Sequence, residues 1–374
     1  MMTIIEYLKI TRKREGPSSC SDETDIFYQQ LQQITEDSGI EDIDLIITNT
    51  CKVQCSTVYL DNMKHIIWDL SYWGVIEDYL NSIELYLDNN QECAQLLYNF
   101  LLYRTLRYRV NDKQSRIALS KLEKQLALIL SDRIPENING SSNIKLYLDF
   151  FKLFTFIHEL CHIQLKENET MRLSALKEFD DYVQTIGKEK NLWFSHKSAY
   201  QDIDFSDKIN IEEAIKQYVS SDDMKIEAIC DYYALDSLAN SFSQFEKALN
   251  ITREQFLSDF YCLKEAIIGF YNDVLYYQEY IERLAKHKTE IDEDIIRNSS
   301  KGFYTLANMY MARESLFNPL FLVRCYLKYN CMVSPKSSSY FDLYNRLNHN
   351  SLRQNYLKDY INYYNELLSK SESI

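Results

Sequence analysis

The sequence predicts a mainly α fold with one small β-sheet (α+β), and three observations predict it. The chain of 374 residues holds only 7 Gly and 4 Pro. These residues punctuate tight turns, so their scarcity favours long helices and few hairpins. Beyond Gly74, apolar residues recur at spacings of three and four over most of the chain, which is the period of a helix with a buried face. The β-branched runs that favour strands are confined to residues 44–69.

Taken in order, the first twenty residues are polar, and Asp25 to Thr35 reads as a short helix. Asp44 to Thr50, Thr57 to Leu60 and Ile66 to Asp69 read as strands bounded by Asn and Asp. Val75 to Leu87, Cys93 to Val110 and Ser115 to Leu130 follow as helices, and Asp132 to Asn143, with Pro135 and Gly140, as a loop. Ile144 to Lys166 is apolar on nearly every face, the profile of a helix in the interior. Lys188 to Asp207 is an irregular insertion, and helices are expected at Ile211 to Phe242 and over most of Arg253 to Lys288. Gly302 to Met311, Pro319 to Tyr329 and Leu352 to Leu368 also read as helices, with a loop or hinge at Cys331 to Ser339. The tyrosines Tyr271, Tyr276, Tyr277 and Tyr280 form a stripe that suits helix packing better than a peptide groove.

Composition narrows the function. A net charge of -14 repels phosphate backbones and argues against nucleic acid as a partner. The basic clusters at Lys9 to Arg14 and Arg104 to Arg116 read as solvated surface. Nine Cys at irregular spacing suggest buried thiols in a reducing compartment, and Cys51 and Cys55 lack a second pair at metal-site spacing. The N-terminus does not have the order of a secretory signal, and no apolar run is long enough to span a membrane. A cytoplasmic location is expected, with no membrane partner.

The chemistry concentrates in His158-Glu159-Leu160-Cys161-His162. Residues four apart leave a helix on the same face, so both imidazoles can reach one tetrahedral Zn²⁺ at about 2.0–2.1 Å. Glu159 is turned about 100° from His158, which sets it beside the ion as a general base. Zinc also answers the cost of burying two imidazoles and a carboxylate in an apolar helix. For the third ligand the best candidate is Glu227, in Met224-Lys-Ile-Glu-Ala-Ile-Cys-Asp-Tyr-Tyr-Ala-Leu-Asp236. Asp231 shares its face and can accept a hydrogen bond from a ligand histidine. Ala234 falls near that face and is small enough for close helix approach. Glu212, Glu213 and Asp222 remain alternatives for the third ligand, and His196 is less attractive. For an oxyanion donor, His196 and Tyr200 rank ahead of Tyr232 and Tyr233.

His158-Glu159-x-x-His162 followed by Glu227-x-x-x-Asp231 resembles the zincin metallopeptidases of the Glu-ligand type, the gluzincins. The ending Glu-x-x-x-Asp-x-x-Ala is similar to that of cytoplasmic bacterial members, the phage-exclusion (Lit-like) and ImmA-type peptidases. The resemblance covers residues 44–240 at most. It implies a zincin-like catalytic core, one Zn²⁺ per chain, Glu159 as catalytic base, and a peptide or protein substrate. The 64 residues between His162 and Glu227 (163–226) are a departure that calls for an insertion. The expected organisation is an N-terminal extension at 1–43, the metallopeptidase domain at 44–245, and a helical C-terminal region at 246–374. That last region offers helices to a regulatory partner. The rival expectation is a helical scaffold protein with a structural or inactive zinc site.

Overall fold

The structure is a computed structural model and describes residues 22–40, 42–49, 55–60, 63–87, 91–133, 142–188 and 222–242. It also describes single positions between 252 and 286 and between 360 and 369. Among the described residues the fold is mainly helical with one three-stranded sheet, as expected. Helix α1 (Asp22–Asp37) leads into β1 (Ile43–Thr48), β2 (Ser56–Leu60) and β3 (Met63–Asp69). Helices α2 (Leu70–Leu87), α3 (Gln91–Arg109), α4 (Lys113–Arg133), α5 (Ser142–Glu167), α6 (Glu169–Lys188) and α7 (Asp222–Phe242) follow.

Local chemistry sets several boundaries. Gly39 has φ 69°, the left-handed conformation that ends a helix without a Cβ penalty, and it closes α1. α2 starts at Leu70 rather than Val75, because the buried Asp69 accepts a hydrogen bond from the Ser71 N–H at 3.0 Å. Asp112 caps α4 in the same way, accepting from the N–H of Ser115 at 2.7 Å. α6 has no counterpart in the sequence reading. Asn168 breaks the chain after α5 and accepts from the Met171 N–H at 2.9 Å, starting the new helix. The Asn-Glu start was the readable signal. The mostly polar outer face of α6 hid its short buried stripe of Ala175, Leu176 and Phe179.

In the sheet, β3 lies between β1, which is parallel to it, and β2, which is antiparallel. Alternate residues of β3 face opposite sides. Ile66 and Trp68 join the main core, while Ile67 packs with Ile46 and Val58. Trp68 meets Phe156 of α5 edge-on, with ring centres 6.2 Å apart, which fixes the sheet against that helix. α7 runs along α5, and α6 packs on both. Part of the long segment between the two motifs is therefore helix folded back on the helices that carry them.

The core extends past residue 246. Phe256 stacks on Phe242 of α7 at 4.2 Å and lies 4.4 Å from Phe150 of α5. Tyr360 is buried and donates to Ser115 Oγ of α4 at 2.8 Å. Tyr277 is buried and Tyr271 stacks on Tyr72, so these two tyrosines serve packing. Tyr276, Tyr280, Cys51, the insertion at 188–207 beyond its first residue, and the helices and hinge expected between 302 and 339 lie outside the described residues. Among the described residues, no helix is long and apolar enough to cross a membrane.

This shared core makes a prediction. Phe256→Ala should destabilise the whole protein by about 3–5 kcal/mol in urea unfolding while keeping a single transition. Leu128→Ala, at a side chain 70% exposed, should stay within about 0.5 kcal/mol.

Candidate metal centre

α5 and α7 lie side by side, and each contributes one turn of chemistry. Their contact is lined by small residues. Cys161, Ala228, Cys230 and Ala234 are all buried, which lets the two helices come close. Cys230 is a free thiol held far above the usual thiol value, first by burial, then by its hydrogen bond with the Cys161 thiol and by the charges of Glu227 and Asp231.

Across this contact three side chains converge. His158 Nε2 and His162 Nε2 are 3.0 Å apart. Glu227 reaches both, with Oε1 3.4 Å from His162 Nε2 and Oε2 3.5 Å from His158 Nε2. Their ligand atoms lie within 4.8 Å of one another, so the three could hold a metal ion. The donor spacing fits a small tetrahedral cation. Bonds of about 2.0–2.1 Å at tetrahedral angles put neighbouring donors about 3.3 Å apart.

Asp231 stands behind His158, its Oδ1 2.9 Å from Nδ1. The contact is close but bent, since the ring N–H is not aimed straight at an acceptor. It favours the tautomer with the proton on Nδ1 and leaves Nε2 to face the cluster. The electrostatics of the pocket favour positive charge. Burial alone would push the His158 pKa down, but bonds to Asp231 and Glu227 and the charges of Asp231 and Glu159 outweigh it. The value rises to about 10. A field that favours a proton on His158 also favours a cation between the rings.

Glu159 is bonded from the sheet and its charge is felt at His158. Thr57 of β2 donates its hydroxyl to Glu159 Oε2 at 2.8 Å and also lies 3.0 Å from the Glu159 backbone carbonyl oxygen. A residue from the edge of the sheet, as described, thus fixes the carboxylate beside the ligand cluster without making it a ligand.

No family model, curated protein or solved structure matches this chain. The likeness to the gluzincins rests on the residues themselves. Of the alternatives for a third ligand, Asp222 is exposed and pairs with Arg172 and Lys225, each at 3.8 Å, away from the cluster. Glu212, Glu213, His196 and Tyr200 lie outside the described residues. Tyr233 has its phenol pushed up by burial first and by the charge of Glu178 of α6 second. Sequence reasoning missed Thr57. Its hydroxyl meets Glu159 across 102 positions of chain, and nothing local marks it.

The cluster predicts a clean division between two neighbouring acids. Glu227→Ala should lose more than about 100-fold in affinity for a divalent probe ion, Zn²⁺ or Co²⁺, in competition with a chromogenic chelator. Glu159→Gln should bind the same ion as wild type.

Proposed function

We propose that this chain is a zinc-dependent metallopeptidase with a zincin-like core, and the observation that carries the reading is the convergence of His158, His162 and Glu227. Two imidazole nitrogens and a carboxylate at near-tetrahedral spacing are the donor set of a catalytic zinc with three protein ligands. When bound there, zinc supplies a Lewis acid that polarises a scissile carbonyl and makes water acidic near neutral pH. Supporting it is a carboxylate beside the donors rather than among them.

Each protein group then has a task. Glu159 takes a proton from the attacking water and passes it to the leaving amine. Thr57 holds the Glu159 carboxylate outside the ligand set. Asp231 holds the His158 ring. β2 lies at the edge of the sheet among the described residues, where an extended peptide can pair with it and pass Glu159. A scaffold protein with a structural zinc site would give Glu159 no role, and the bond from Thr57 favours the enzyme.

The reading accords with a cytoplasmic enzyme acting on a restricted protein substrate, its access governed through the region after residue 246. The test compares proteins cleaved in cells that express wild type or Glu159→Gln. New N-termini should appear with wild type only, and the loss should be about 10²–10⁴-fold with zinc content unchanged. Equal cleavage by both would overturn the mechanism. On a substrate found in this way, Thr57→Val should lose roughly tenfold in kcat, the worth of one charge-assisted hydrogen bond at about 1.5 kcal/mol. Thr57→Ser, which keeps the hydroxyl, should restore most of it.

A further inference from the structure

Lys264 belongs to the C-terminal region, where the sequence shows no catalytic constellation. Its side chain is nonetheless only 9% exposed, and a buried ammonium is costly without a counter-charge. Its Nζ lies 3.5 Å from Oδ2 of Asp231 and 5.6 Å from the centre of the Phe154 ring. An aromatic face at that range attracts a cation. Phe154 stands one turn before His158 on α5, its ring centre 6.3 Å from the imidazole. Asp231, 3% exposed at its side chain, puts its other oxygen on His158 Nδ1 at 2.9 Å. One carboxylate is therefore held at both ends, by the imidazole of a candidate ligand and by an ammonium from a distant segment.

We infer that Lys264 is a positioning residue of the metal centre: it holds Asp231 so that His158 presents Nε2 to the cation. The inference rests on the metal reading above. A carboxylate gripped at a single oxygen can rotate about its last torsion, and the ring it supports then loses its direction. Gripped at both oxygens it cannot. The ammonium also offsets the charge of the buried Asp231. The same contact ties the segment containing residues 253–286 to His158 through two steps. Displacing that segment would be felt at the metal.

The test uses the purified full chain, Zn²⁺ affinity by chelator competition and the absorption spectrum of bound Co²⁺. Lys264→Met should bind Zn²⁺ about tenfold more weakly, at the low end for residues that support ligands, and should alter the Co²⁺ spectrum. Lys264→Arg, which keeps the charge, should recover most of the affinity. Asp231→Asn leaves the ammonium without the carboxylate it faces and should lower the thermal midpoint. Adding Lys264→Met to Asp231→Asn should raise that midpoint again and cost no further zinc affinity. This pair of variants decides the question even if Lys264→Met alone fails to fold.

Wild-type affinity and spectrum in Lys264→Met would overturn the inference alone. So would a double variant that melts no higher than Asp231→Asn. A wild-type chain that binds neither ion would overturn the metal reading, and this inference with it.

Discussion

Two helices that set carboxylates against imidazoles, with Asp231 buried among them, favour positive charge between them, and the rest of the site is arranged around that demand. Glu227 and Asp231 face His158 from α7, and Glu159 adds its charge from α5 itself. Burial makes an isolated charge expensive, so the buried Asp231 calls for a cationic neighbour. The pKa of His158, raised to about 10 as its bonds to Asp231 and Glu227 outweigh burial, lies in the direction of that demand. A divalent ion at the donor cluster would meet it more fully than a proton does, because two rings and a carboxylate converge on one point. On the other side of Asp231 the balancing charge is the Lys264 ammonium.

Packing brings these charges together. The buried small residues of α7, Ala228, Cys230 and Ala234, let it lie close along α5. Phe150, Phe242 and Phe256 close the far end of that contact. Trp68 against Phe156 brings the sheet to the same helix and carries Thr57 to Glu159. The candidate ligands, Glu159 and the groups that contact them thus come from four separate stretches of chain, joined through one apolar core. Polar groups held by such a core keep their directions, as pre-organised chemistry requires.

What the sequence made legible was whatever repeats at a helical or strand period. The pairs His158/His162 and Glu227/Asp231 are four apart on single helices, so their shared faces followed from geometry alone, and the structure brings the two faces together. The three strands were visible as β-branched runs, although their order, with β3 in the middle, was not. Helix α6 escaped because its apolar stripe is short and its cap is one asparagine. Thr57 and Lys264 escaped for a different reason. A threonine in a strand and a lysine in a helix are ordinary residues until tertiary contact gives them a partner, 102 positions away for one and 33 for the other.

The central claim is that His158, His162 and Glu227 hold one zinc ion. X-ray absorption spectroscopy on the purified protein, together with metal analysis, tests it most directly. One zinc per chain, with nitrogen and oxygen neighbours at about 2.0–2.1 Å and no sulfur, is the predicted result. Zinc bound through sulfur at about 2.3 Å would move the site to the cysteines, and a chain without stoichiometric zinc would contradict the account.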